Sequence, residues 1–212
     1  SLNSGNAILL RNAGANVSGL SYTLSELLRD ENIKSIKVVT HTDCGAMKTV
    51  SKVLKGELKL SEIATNTLVS KFTDAGTKDP RELENVNTQI QKSELEKISK
   101  ERGIKGSVEL LDISKIDMPK EQGEHKMALM NPSSLKYGQI LNKEEMFNTY
   151  VIQSKSLEEK MVDIEIATKV LGIKKGEMIA LYASEYRSVE ADLKKLKLNP
   201  LLNGIEINAR RL

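Results

Sequence analysis

The chain has 212 residues, 39% of them hydrophobic and 29% charged, with a net charge of +3. That is enough chain to bury a core, and the mixed Lys/Glu surface, with no basic block and no aromatic interleaving, argues against a nucleic-acid partner. No apolar run approaches the ~20 residues of a membrane span, no signal peptide is visible, and a single cysteine excludes an intrachain disulfide framework and fits a reducing, cytoplasmic compartment.

The first apolar run, Ala7 to Leu10, reads as a buried strand ending at Arg11-Asn12 and a glycine. Leu20, Leu24, Leu27 and Leu28 then recur at helical spacing, with Ser18 or Ser21 as N-cap. Ile36 to Thr40 is a second strand, and the next helix begins near Cys44 and stops at Gly56. This strand–helix–strand–helix order predicts a parallel sheet with crossover helices. An amphipathic helix is expected over 60–71, and a long one over 81–102 opened by Pro80 and closed by Gly103. Its candidate buried positions are Leu83, Val86, Ile90, Leu95 and Ile98, and a third strand follows near Val108. The two-proline stretch after Met118 reads as a linker or excursion. Beyond it come a strand near Tyr150, a helix with Leu157, Met161, Ile164 and Val170 on one face, a strand over 177–182, a helix capped by Ser188, and a final strand from Gly204.

The stretch "VVTHTDCGAMK", 38–48, places His41 and Cys44 three apart at the end of a β-branched run. In a parallel α/β sheet ligands bind at the carboxyl ends of strands. A cysteine at a helix N-terminus is stabilised as a thiolate. His41 and Cys44 are therefore candidate metal ligands, and Gly45 lets backbone come close. A catalytic zinc takes three protein ligands and keeps one position open. The bland alternative is a small buried thiol and a hydrogen-bonded structural histidine.

The blocks Arg11-Asn12-Ala13-Gly14 and His41-Thr42-Asp43-Cys44-Gly45, joined by one Ser/Leu-rich helix, resemble the β-class carbonic anhydrases in order and spacing. The stretch "ENVNTQIQ", Glu84 to Gln91, and the strand near Val108 also look like that family, so the resemblance covers roughly residues 4 to 114. It implies a three-layer α/β fold with a parallel-dominated sheet, assembled as a homodimer or higher oligomer. It also implies a zinc held by two cysteines and a histidine, which lowers the pKa of bound water to about 7 for attack on carbon dioxide to give bicarbonate. His41 and Cys44 would be two of the ligands, with Arg11, Asn12, Gly14 and Gly45 around the substrate cleft.

The family's other cysteine belongs to a Cys-x-Asp-x-Arg motif after its first strand, and no second cysteine occurs in this sequence. The sequence opens on Ser1 rather than Met, which leaves room for residues upstream. A C-terminal stretch has the same strand–turn–helix order: "ASEYR" sets Ala183 at the Cys, Glu185 at the Asp and Arg187 at the Arg, as in a permuted first strand without the metal ligand. Glu185 and Arg187 are thus candidate catalytic residues. The expected organisation is an α/β domain over 1–117, a linker or excursion over 118–148, and a C-terminal α/β segment over 149–212 that could complete the same sheet. Three functions follow: a zinc lyase whose second cysteine lies upstream, a metal-free family member serving as a binding or assembly subunit, or a site of altered composition completed by His125, Glu124, Asp43 or Glu185.

Overall fold

The computed structural model describes residues 6–30, 32–116, 124–135, 137–142, 145–146 and 148–212. The protein is α/β with parallel sheets, and the chain divides into two compact units, Ala13–Asp117 and Met118–Leu212 with the first twelve residues. The expectation that the C-terminal segment completes the N-terminal sheet is corrected: each unit has a sheet of its own.

In the 13–117 unit, helix α1 (Ser21–Asp30) leads to strand β1 (Ser35–His41), and helix α2 (Gly45–Leu54) follows at once. Asn16, not a serine, caps the turn that leads into α1: its side-chain oxygen accepts from the Gly19 amide at 3.1 Å. The single helix expected over 60–71 is instead a broken run, α3 (Glu62–Ala64) continuing through a π segment to a 3-10 turn at Phe72. Helix α4 (Pro80–Arg102) starts where its cap predicts. Asp79 accepts from the amides of Arg81 at 2.9 Å and Glu82 at 3.1 Å, Pro80 presets the first turn, and Gly103 closes it at φ +66°. The chain returns as β2 (Lys105–Leu111), which pairs parallel with β1 in register Ser35 to Lys105. α4 packs against this pair so closely that a Cβ on Gly106 would stand 2.9 Å from Leu95 Cγ.

In the other unit four parallel strands lie in the order β4-β3-β5-β6: β3 (Lys126–Met130), β4 (Thr149–Gln153), β5 (Lys175–Ala180) and β6 (Glu206–Arg211). Both faces are buried, as a parallel sheet requires. Met127, Leu129, Ile152 and Met178 pack on α6 (Leu157–Lys169) and α7 (Tyr186–Lys197). Ala128, Met130, Val151 and Ile179 pack on the opposite side with Ile140 of α5 (Tyr137–Ile140) and Leu141. The segment read as a linker over 118–148 thus carries a central strand, β3; its residues 118–123 lie outside the described residues.

Ala7 to Leu10 is not a strand. The N-terminal segment makes two isolated antiparallel bridges, Leu9 to Ser133 and Arg11 to Gln153. β5 lies between β3 and β6, so it does not pair with Ala7–Leu10 as a permuted first strand would.

Candidate functional site

β1 is a β-branched run whose alternate residues Val38 and Thr40 are buried, and it delivers His41 at its carboxyl end. Thr42 and Asp43 turn the chain, Asp43 with φ +55°, and Cys44 becomes the N-cap of α2. Cys44 is 3% exposed, whereas His41 is exposed. The thiol and the His41 ring share a hydrogen bond. Burial pushes the Cys44 thiol up. The hydrogen bond and charge of His41, with the amides of Met47 and Ala46 at the start of α2, pull it down further, so its pKa lies below the ordinary thiol value.

His41 Nδ1 lies 2.8 Å from the Thr42 carbonyl oxygen, which can only accept. Nδ1 therefore carries the proton, which leaves Nε2 as the ring nitrogen that can face the Cys44 thiol or a metal. The pair offers one thiolate sulfur and one imidazole nitrogen.

Gly14 sits beside the same helix start. Its φ is +71°, and a Cβ there would meet Met47 Cε at 3.3 Å and Ala46 Cβ at 3.6 Å. Gly14 thus packs on the start of the helix that Cys44 caps, within one unit. Arg11 and Asn12 belong to the other unit. Gly45 has open space around its Cα, so it is not a close-approach position in this chain.

One helix face joins the two motifs, and the sequence reading missed it. Glu84 Oε1 accepts the Cys44 amide at 2.9 Å, Asn87 Nδ2 donates to the Gly14 carbonyl at 2.8 Å, and Gln91 Oε1 accepts the Val17 amide at 2.8 Å. All three are buried on α4. They lie in the 84–91 stretch that carries part of the resemblance, but apolar periodicity gives polar residues no role; their spacing of three and four is the signal that sets them on one face.

Zinc takes the donors that His41 and Cys44 present, but a catalytic centre uses three. Among the described residues no group of three His, Cys, Asp or Glu comes together. The pair does not make a complete centre. Asp43 is held by Lys48 at 2.5 Å. Glu124 and His125 belong to the other unit, where Glu124 pairs with Lys175 at 2.8 Å.

Glu185 sits at the carboxyl end of β5, beside the point between β3 and β5 where the strand order reverses. Its oxygens accept from the amides of Leu181 at 3.0 Å and Tyr182 at 3.3 Å and from Asn131 Nδ2 at 3.1 Å. Arg187 is exposed two residues on, and among the described residues no ion pair joins it to Glu185. The expected acid–base pair is therefore not formed: Glu185 works as a cap for the turn before α7, which begins at Tyr186 rather than at a Ser188 cap.

None of the family models, curated proteins or solved structures compared with the chain matches it. Among the described residues no helix is long and apolar enough to cross a membrane.

Proposed function

We propose that the protein is β-carbonic-anhydrase-like, with His41 and Cys44 as two of three protein ligands to a zinc that serves reversible hydration of carbon dioxide. The third ligand in this reading is a cysteine that the sequence does not contain. The observation that supports it is the contact of the Cys44 thiol with the His41 ring at a strand's carboxyl end, with the thiol pKa lowered. The reading brings with it a cytoplasmic setting, a small substrate of the carbon dioxide and bicarbonate type, and a homodimer or higher oligomer. The chain's own residues do two things in it. Thr42 holds the proton on His41 Nδ1, which leaves Nε2 for the metal, and the start of α2 keeps Cys44 ionisable.

A second reading rests on the donor count: a metal-free relative that keeps the fold and serves as a binding or assembly subunit. Cobalt(II) separates the two. With a small thiol added to stand in for the missing ligand, the wild-type chain should give a thiolate-to-cobalt charge-transfer band beyond that of cobalt and thiol alone. C44S and H41A should lose it. A wild-type spectrum identical to that of C44S would overturn the zinc reading and leave the metal-free one. Without added thiol the 212-residue chain should show little or no carbon dioxide hydration.

A further inference from the structure

Helix α2 begins without the usual oxygen cap. Its N-cap residue is Cys44, whose sulfur is a weak acceptor. The third helical position, from which a glutamate reaches back to the N-cap amide in a capping box, is Met47. Met47 is fully buried beneath Gly14, so packing already claims that position. The N-cap amide would then be an orphan in a buried place, which costs roughly 1–3 kcal/mol. It is not an orphan, because Glu84 arrives from α4, forty residues later, and accepts it at 2.9 Å. Glu84 is 5% exposed and sits on the same face as Asn87 and Gln91, which fix the Gly14 and Val17 backbone.

We propose that Glu84 is the positioning residue for Cys44: by holding the Cys44 amide it sets the direction in which the side chain leaves the backbone, and so its meeting with the His41 ring. The inference rests on the reading of His41 and Cys44 as the functional pair. It explains why a buried carboxylate occupies a helix face where an apolar residue would pack at less cost.

The test uses the fact that the chain has only two histidines, one in each unit. Ring nitrogen NMR of the metal-free protein at fixed pH reads His41, with His125 as internal control. E84Q keeps an acceptor oxygen in place and should superimpose on wild type. E84D withdraws the carboxylate by one methylene and E84A removes it; both should shift the His41 resonances and leave those of His125 alone. N87A weakens the same helix face without touching Cys44 and should leave His41 where it is. If E84A does not fold, E84D decides. A folded E84D with unmoved His41 resonances would overturn the proposal, as would N87A moving them equally far. No metal is present in this measurement, so a missing cobalt band counts against the zinc reading alone.

Discussion

Asn87 donates to the Gly14 carbonyl at 2.8 Å while its own side-chain oxygen accepts from Gln91 Nε2 at 2.9 Å. Gln91 in turn accepts the Val17 amide, so one buried relay ties the glycine loop to α4. Asn87→Leu should break the relay at both ends. A buried donor and a buried acceptor would lose partners, at about 1–3 kcal/mol each. Urea unfolding followed by helix signal should show a lower midpoint with an unchanged slope. A loss under about 0.5 kcal/mol would mean that water takes over both bonds.

The α4 face shows where sequence reading ends. The ends of α4 were legible because Asp79, Pro80 and Gly103 act locally on the backbone beside them. Its buried stripe was not, because apolar periodicity finds positions that pack on side chains, whereas Glu84, Asn87 and Gln91 bond the buried backbone of two loops. Val86, Ile90 and Ile98, chosen as buried, lie only partly so at the stripe's flanks. The β1 strand and the Cys44 helix start were legible from their β-branched run and glycine. β3 is hidden in the sequence because "KMALM" is short and sits inside a polar stretch between Pro119 and Pro132. Ala7 to Leu10 was mistaken for a strand because four apolar residues look the same whether they pair over their whole length or at one bridge.

Two glycines should resist substitution for want of space. A Cβ on Gly106 would collide with Ser99 Oγ and stand 2.9 Å from Leu95 Cγ; one on Gly176 would stand 2.5 Å from Met127 Cγ. Each sets how closely a strand meets its neighbour. Gly106→Ala and Gly176→Ala should each lower stability by about 1–3 kcal/mol, the usual range for overpacking. Gly45→Ala, in open space, is the control and should fall within about 0.5 kcal/mol of wild type. Thermal melts of the three variants side by side test the ranking.

Acid should weaken the four-stranded sheet through one carboxylate. Glu145 is held by Lys126 Nζ at 2.8 Å and by Arg210 at 3.0 Å. The hydrogen bond from Lys126 is the chief reason its pKa falls from 4.5 to about 2; burial opposes the fall, and the Asn142 amide and the two cations add to it. The folded value is depressed, so its stabilisation is complete above pH 4.5 and is lost as pH falls through about 2. The group is partly solvated, so the term is about 1 kcal/mol. Glu145→Gln should flatten the stability curve between those limits, and equal acid slopes for the two proteins would refute the assignment.

Base should act in the opposite sense through a buried lysine. Lys160 on α6 is 2% exposed, and its ammonium donates to the Ser154 carbonyl just beyond β4. Burial pushes its pKa down to about 8, only partly offset by Asp192, Glu159 and Glu185. The folded value lies below the ordinary 10.5, so between these limits the unfolded chain binds more protons and stability rises with pH. Below about pH 8 the whole cost of the buried charge is present, on the order of 3 kcal/mol. Lys160→Met removes the titrating group and leaves the Ser154 carbonyl without its ammonium, so the two changes partly cancel at neutral pH. The slope is the cleaner readout. The stability difference between wild type and Lys160→Met, measured by denaturant unfolding at half-unit steps from pH 7 to 10.5, should move steadily in favour of wild type above pH 8. A difference that stays constant across that range would show that the ammonium keeps its ordinary pKa in the folded protein, with Asp192, Glu159 and Glu185 compensating in full for its burial.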